Sequence, residues 1–423
     1  MDKLESDMPE KAPGMSLRAL RVVEATHQGG SAVAAAQVLH VSTSAVSRTI
    51  RQAEQALGVS LFERGTRGMV CTEPGLAVAQ ACGALRTELL HSASEGQVPE
   101  PRQEPPLQRK VESLLRVLTM PMLRCAVACA ELANETLAAR SLGLSQPAVS
   151  QHLRSLHRAY GRALTQRTRH GIRFTRDGHR VLGSLKRVLN ILRVLDEQIS
   201  AYRGEASGHL HLGVLPMAST SLAPQALAGL LHSMPKVVVT VSDGTYEAMA
   251  MLLKTGDLDM VIGPLRGELV APELEELGLF RESLIAVVRQ GHALALSPRA
   301  RPLRQLCAHA WIAPLGNTPA RAAFERAFRA AGLPLPRISL QANSPALVRA
   351  LLMKSDHIAL MSPLQIEEDL QRGTLVRVPV KLRDAERHIG VTVRRGFQWP
   401  PSCVCLLEQL RDQTLSSPHH SAR

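Results

Sequence analysis

Two clusters of side chains in this 423-residue chain have the types and spacing for recognition chemistry, and they are versions of one cluster. In the first, Thr43, Ser44, Ser47, Arg48 and Arg51 share a segment with Ala45, Ile50, Ala53 and Leu57, apolar residues at helical spacing. That pattern gives a helix with one buried face and one face of short polar groups and guanidinium groups. Such a helix can lie in a major groove, its first turn near base edges and phosphates. In the second cluster Gln146, Pro147, Ser150, Gln151 and Arg154 stand at matching places. Each helix runs into a glycine-containing stretch that reads as a strand turning into a basic hairpin. Arg64 and Arg67 lie in the first hairpin, Arg167 and Arg169 in the second, and both pairs suit the neighbouring backbone or minor groove.

The elements that position these groups are themselves duplicated. Residues 34–75 and 137–178 align without a gap: Val46 falls on Val149 and Gly75 on Gly178, an offset of 103 residues. Ala35/Ala138, Leu39/Leu142, Ser42/Ser145, Gly58/Gly161, Arg64/Arg167, Gly68/Gly171 and Thr72/Thr175 are identical pairs. Two copies are too few for a solenoid, so this is a duplicated domain. Within each, a short helix, a turn with a serine N-cap (Ser42, Ser145), the second helix and the hairpin make a winged helix-turn-helix. The bland alternative is a three-helix structural unit with a solvated basic face.

The bulk numbers agree with a polyanionic partner. The chain is 45% hydrophobic and 21% charged, with a net charge of +13. Twelve Lys and Arg fall between Arg140 and Arg193 against one acid, Asp177, so the excess sits on the second copy and the helix after it. Aromatics are only 3%, which argues against a stacking platform for single strands. Residues 1–14 read as a disordered lead with no apolar core for a signal peptide. No run approaches a membrane span, so no membrane partner is expected. The seven cysteines show no metal spacing, and Cys125 and Cys129 read as core residues; with no disulfide framework they suit a reducing cytoplasm. There is no phosphate-binding GxxxxGK[ST] run and no GxSxG elbow, so neither an enzyme nor a cofactor or metal is expected.

Along the chain, residues 15–75 form the first winged domain and 76–108 a short helix and a proline-rich linker, Ser92–Pro106, that tethers it flexibly. Residues 109–178 are the second winged domain. In 179–205 Val181, Leu185, Val188, Leu192, Leu195 and Ile199 make one apolar stripe, read as a long linker helix that seams two chains into a dimer. From 206 to 400 short strands and helices alternate, giving a parallel sheet with helices on its faces. This part divides into lobe 1, about 206–266 and 375–400, and lobe 2, about 267–374. Residues 401–423 are a C-terminal helix and polar tail.

The first winged copy, SLRALRVVEATHQGGSAVAAAQVLHVSTSAVSRTIRQAEQALGVSLFERGTRGMVCTEPG, resembles the DNA-binding domain of LysR-type transcriptional regulators. The second keeps the family's SQPAVS run at Ser145–Ser150 but has Leu164-Thr165-Gln166-Arg167 where the first has Leu61-Phe62-Glu63-Arg64. Carrying the domain twice departs from the family pattern and leaves open which copy reads DNA. The second half resembles the family's effector domain through Gly208–Pro216, Gly256–Gly263, Gly291–Leu294, Trp311-Ile312 and Ser344–Ser362. GVLPMASTSLAP and Ile389–Phe397 are similar to regulators of sugar-binding-protein genes and of the protocatechuate pathway. The resemblance implies two α-rich winged helix-turn-helix domains, a linker helix and a two-lobed α/β effector domain of periplasmic-binding-protein-like fold. It also implies a cytoplasmic homodimer or homotetramer that binds double-stranded DNA and a small-molecule effector and acts with RNA polymerase.

In open α/β sheets ligands lie beyond the C-terminal strand ends, at helix N-termini. Those ends carry Met217, Ser219 and Thr220, then Thr245, then Pro264; in the second lobe they carry Asn317 and Thr318, Ser344 and Ser362. The hydroxyls also serve as ordinary N-caps. No lone Arg or His is placed as a charge partner, so organic acid, aromatic acid and sugar all stay open. The competing reading is a ligand receptor whose helix-turn-helix copies make protein contacts rather than read DNA.

Overall fold

The computed structural model describes residues 15–65, 68–94, 104–169, 171–296 and 299–416. The first winged copy comprises α1 (Leu17–Gly29), α2 (Ala32–Leu39), α3 (Thr43–Leu57), β1 (Phe62–Gly65) and β2 (Gly68–Cys71), and continues into α4 (Glu73–Ala93). Helix α5 (Glu104–Val117) leads to the second copy. That copy comprises α6 (Met120–Leu132), α7 (Glu135–Ser141), α8 (Gln146–Tyr160), β3 (Thr165–Thr168) and β4 (Gly171–Phe174), and continues into α9 (Arg176–Tyr202).

The same local causes act in both copies. The Ser42 and Ser145 hydroxyls accept from the backbone N–H of Ala45 and Ala148, satisfying donors that α3 and α8 leave unpaired in their first turns. Thr72 and Thr175 do the same for α4 and α9, each accepting from the glycine three residues on. That glycine is dictated by contact. A Cβ on Gly75 would stand 2.0 Å from the Leu61 carbonyl oxygen, and one on Gly178 would stand 1.9 Å from that of Leu164. The closing Thr-x-x-Gly therefore presses each long helix against the strand that enters its hairpin. Equivalent backbone bonds, Met69 N–H to Gly30 O and Ile172 N–H to Ala133 O, both 2.9 Å, tie each hairpin to the end of its copy's first helix.

The stripe on α9 is not left for a second chain. Val181, Leu185, Val188, Leu192, Leu195 and Ile199 are at most 1% exposed; α4 of the same chain packs along α9, and α6 and the first sheet of the second half complete the cover. One apolar cluster runs from Met15 to Ile199 and joins both winged copies. The interchain seam expected on α9 is therefore replaced by a seam within the chain, while most of the linker expected at Ser92–Pro106 lies outside the described residues. Hydrophobic burial requires a cover for the stripe, and α4, held on the same polypeptide at high effective concentration, supplies much of it. The described part of α5, expected to belong to the linker up to residue 108, adds to this core. Its Val111, Leu114 and Leu115 are buried, and Glu112 pairs with Arg21 at 2.5 Å and with Arg86.

After α9 the chain builds two five-stranded sheets. The elements are β5 (Ser207–Val214), α10 (Leu222–Ser233), β6 (Lys236–Asp243), α11 (Tyr246–Thr255), β7 (Met260–Pro264), β8 (Leu274–Ser283) and β9 (Ile285–Arg289). They continue with α12 (Leu303–Leu306), β10 (Trp311–Ala313), α13 (Pro319–Ala330), β11 (Ile338–Gln341), α14 (Pro345–Leu352) and β12 (Ile358–Met361). The last are α15 (Glu367–Arg372), β13 (Leu375–Arg377), β14 (Glu386–Arg394) and α16 (Pro401–Ser416). Strand order is β6-β5-β7-β14-β8 in the first lobe and β11-β10-β12-β9-β13 in the second. Two lobe assignments change. Strand β8, expected in lobe 2, pairs along its length with β14 of lobe 1. Strand β13, expected to return to lobe 1, pairs with β9 in lobe 2. The chain therefore crosses between lobes at Leu284 and again after Val378, and Leu284 N–H to Ala385 O, 3.0 Å, joins the two crossings.

Helix α9 is welded to lobe 1 through a buried carboxylate. Asp259 is fully buried; it pairs with Arg193, accepts from Asn190 Nδ2 at 3.0 Å and accepts from His211 N–H at 2.9 Å. Glu197 accepts from the Ser402 N–H at 2.8 Å, which fixes the start of α16 to the same helix. Glu88, on α4, accepts from Arg187 Nε at 2.6 Å and from Arg394 Nη1 at 3.2 Å, so the first copy's long helix also reaches the effector sheet.

Candidate DNA-binding surface and effector cleft

In the first copy Thr43, Ser44, Arg48 and Arg51 are exposed on α3 and Ser47 is half-buried, while Val46, Ile50, Ala53 and Leu57 face inward. Arg67 and the Arg64 side chain lie outside the described residues. In the second copy Pro147, Gln151 and Arg154 are exposed on α8, and Arg167 and Arg169 are exposed in the hairpin region. The other two residues read as DNA-facing are held inward. Ser150 is 7% exposed and donates to the Glu135 carboxylate, and Gln146 Nε2 donates to the same carboxylate at 2.7 Å. Arg167 completes the cluster, 3.3 Å from Glu135. Burial pushes the Glu135 carboxyl up, but the bonds from Ser150 and Gln146 and the Arg167 charge outweigh it and hold the group below its usual value. Position 32, the counterpart of Glu135, is Ala32, so the first copy has no such clip.

Between the lobes the strand ends enclose a cavity of about 220 Å³. Met217, Thr245, Pro264, Asn317, Thr318, Ser344 and Ser362 line it, whereas Ser219 and Thr220 do not. The reason lies in the start of α10. The segment after β5 turns through residues 217–221 before α10 begins at Leu222, and the exposed Ser219 hydroxyl donates to the Pro216 carbonyl at 3.0 Å. The Thr245, Thr318 and Ser344 hydroxyls cap α11, α13 and α14. Ser362 is fully buried in the floor and donates to Glu282, which also takes Arg387 Nε at 2.8 Å.

The sequence reading missed the cationic and phenolic part of this wall. The Arg266 guanidinium lies 4.3 Å over the Tyr246 ring and spans the cleft, its Nη1 donating to the Asn317 carbonyl at 2.5 Å. Arg266 Nε and the Tyr246 hydroxyl are buried and have no hydrogen-bond partner among the described residues. Burial, then the nearby carboxylates, raises the Tyr246 hydroxyl above its usual value, so it stands as a protonated donor. Arg266 lies two residues beyond Pro264; that proximity was the available signal. Among the described residues no group of three or more His, Cys, Asp or Glu could hold a metal ion. Nor is any single described helix long and apolar enough to cross a membrane.

Paired winged modules fused to a two-lobed receptor with a mostly apolar cleft carrying a few polar groups define a ligand-responsive DNA-binding protein. Comparison with known proteins makes this specific. Residues 17–76 and 120–179 each match the bacterial regulatory helix-turn-helix protein, lysR family, and residues 203–415 match the LysR substrate binding domain. The HTH-type transcriptional regulator GalR of Pseudomonas putida is 31% identical over 403 residues, 94% of this chain and 96% of that one. An alignment of that extent omits fewer residues than one winged copy holds, so it runs into both. PcaQ of Agrobacterium fabrum is 30% identical over 275 residues, 65% of this chain and 88% of its own. These relatives fit the subgroup suggested by GVLPMASTSLAP. Among solved structures a full-length OxyR variant from Pseudomonas aeruginosa shares the fold, with a TM-score of 0.57 at 17% identity, covering 70% of this chain and 95% of that one. The chain belongs to the LysR family of DNA-binding transcriptional regulators, with its helix-turn-helix domain in tandem.

Proposed function

We propose that the exposed faces of α3 and α8, with their hairpins, contact duplex DNA, and that the cavity between the lobes takes a small organic acid as effector. The observation that carries the effector class is the pair of buried, unpartnered donors, Arg266 Nε and the Tyr246 hydroxyl. An unmet buried donor is costly, and a carboxylate supplies both the acceptor and the charge that a guanidinium favours. In this reading the protein works in the cytoplasm as a homodimer or homotetramer and acts on RNA polymerase. Thermal denaturation against a panel of aliphatic acids, aromatic acids and neutral sugars tests the effector class. An acid should raise the melting temperature through binding to the native state only, and Arg266→Ala should abolish the rise. Stabilisation by a sugar that survives Arg266→Ala overturns the assignment.

A further inference from the structure

The two recognition helices are related by more than sequence. Leu57 ends α3, and its carbonyl accepts from Arg203 Nη1 at 3.1 Å, just past the end of the second copy's long helix. Tyr160, the counterpart of Leu57 at the 103-residue offset, ends α8. Its hydroxyl is 3.0 Å from the Ser92 hydroxyl, in the last turn of the first copy's long helix. Each long helix thus starts at its own copy and finishes at the other's recognition helix, so α4 and α9 run antiparallel. This pattern, in which the end of each unit's long helix meets the end of the other's recognition helix, marks an approximate two-fold relation, the contact on α4 falling eight residues earlier than its counterpart at the end of α9 at the 103-residue offset. Here both units lie on one polypeptide, and the apolar stripe that could have joined two chains is used within one.

We propose that a single chain is a complete two-headed reader: its two winged copies grip the two halves of one bipartite duplex site. The proposal rests on the reading that α3 and α8 face DNA. The long helices fix the scale. With 21 and 27 residues, they are about 32 and 40 Å long at 1.5 Å per residue. One turn of duplex, roughly 34–36 Å, separates half-sites read from the same face. The two-fold relation presents the heads in opposite senses, so the half-sites are inverted with respect to each other.

The halves are also unlike. The first head shows Arg48 and Arg51, whereas the second shows Gln151 and Arg154 at the same places. An arginine reads guanine through O6 and N7, and a glutamine reads adenine through N6 and N7. Glu135 further restricts the second head by holding Gln146 and Ser150 inward. A palindrome therefore suits this chain less well than a site with two different halves.

Hydroxyl-radical footprinting of the full-length chain on an end-labelled duplex, retained from sheared genomic DNA, tests this. Both test residues, Arg51 and Arg154, are exposed, so their loss leaves the folded core untouched. Because both heads sit on one packed core and bind as a unit, Arg51→Ala and Arg154→Ala should each raise the concentration for half-protection of the whole footprint on the order of tenfold. If one variant weakens both halves together while the other leaves the footprint unchanged, two chains each use one head, and the proposal is overturned while DNA reading stands. A wild-type chain that protects no duplex overturns both.

Discussion

Leu89 sits in the penultimate turn of α4, 1% exposed, three residues before the serine whose hydroxyl meets Tyr160 of the second copy. It belongs to the one apolar cluster that both copies share. Leu89→Ala removes buried methyl groups and leaves a cavity, a change that costs about 2–5 kcal/mol. At about 1.4 kcal/mol per tenfold, opening equilibria that expose this core should rise roughly thirtyfold to several thousandfold. Native-state hydrogen exchange with mass spectrometry reads that directly. Because the core is shared, amides of α1 and α4 should accelerate together with those of α8 and α9, while β9, β10 and β12 in the second lobe keep wild-type rates. Acceleration confined to residues 17–93 would mean that the two copies are separate folding units, and the argument for a shared core would fail.

Two further outcomes follow from paired carboxylates. Asp259→Asn leaves buried Arg193 with only the more distant Glu197 carboxylate, 3.9 Å away, and breaking a buried pair costs up to about 3–5 kcal/mol; calorimetry should show a destabilised effector lobe, and an unchanged transition refutes the weld between α9 and lobe 1. Glu135 has its folded pKa depressed, so it contributes stability above the usual glutamate range that is lost as pH falls through the folded value. Glu135→Gln should therefore melt lower than wild type at pH 7 and converge with it on acidification; a gap that is constant with pH contradicts the clip.

The local causes were legible because they are written locally. A serine before each recognition helix, a threonine before each long helix and the glycine three residues later all have geometric reasons within a few residues of themselves. Strand ends were legible for the same reason, and they placed Met217, Thr245, Pro264, Asn317, Thr318, Ser344 and Ser362 around one cavity. What a stripe packs against is not local. Val181 to Ile199 announces burial, but the sequence does not say whether the cover is a second chain or α4, about a hundred residues earlier. Arg387 was missed because it reaches the cleft from β14, whose place beside β7 appears only once the chain has crossed between lobes twice, whereas Arg266, two residues beyond the end of β7, lay within reach of the strand-end argument. Ser150 was misjudged because its partner, Glu135, lies on a neighbouring helix.

The most direct test of the account is selection of duplexes by the purified full-length chain at physiological salt, from sheared genomic DNA and from a random pool, with sequencing of what is retained. The account predicts a bipartite site near gene starts whose two inverted halves differ in sequence and lie about one helical turn apart. Retention without a shared sequence that disappears as salt rises would show only a basic surface, and would contradict it.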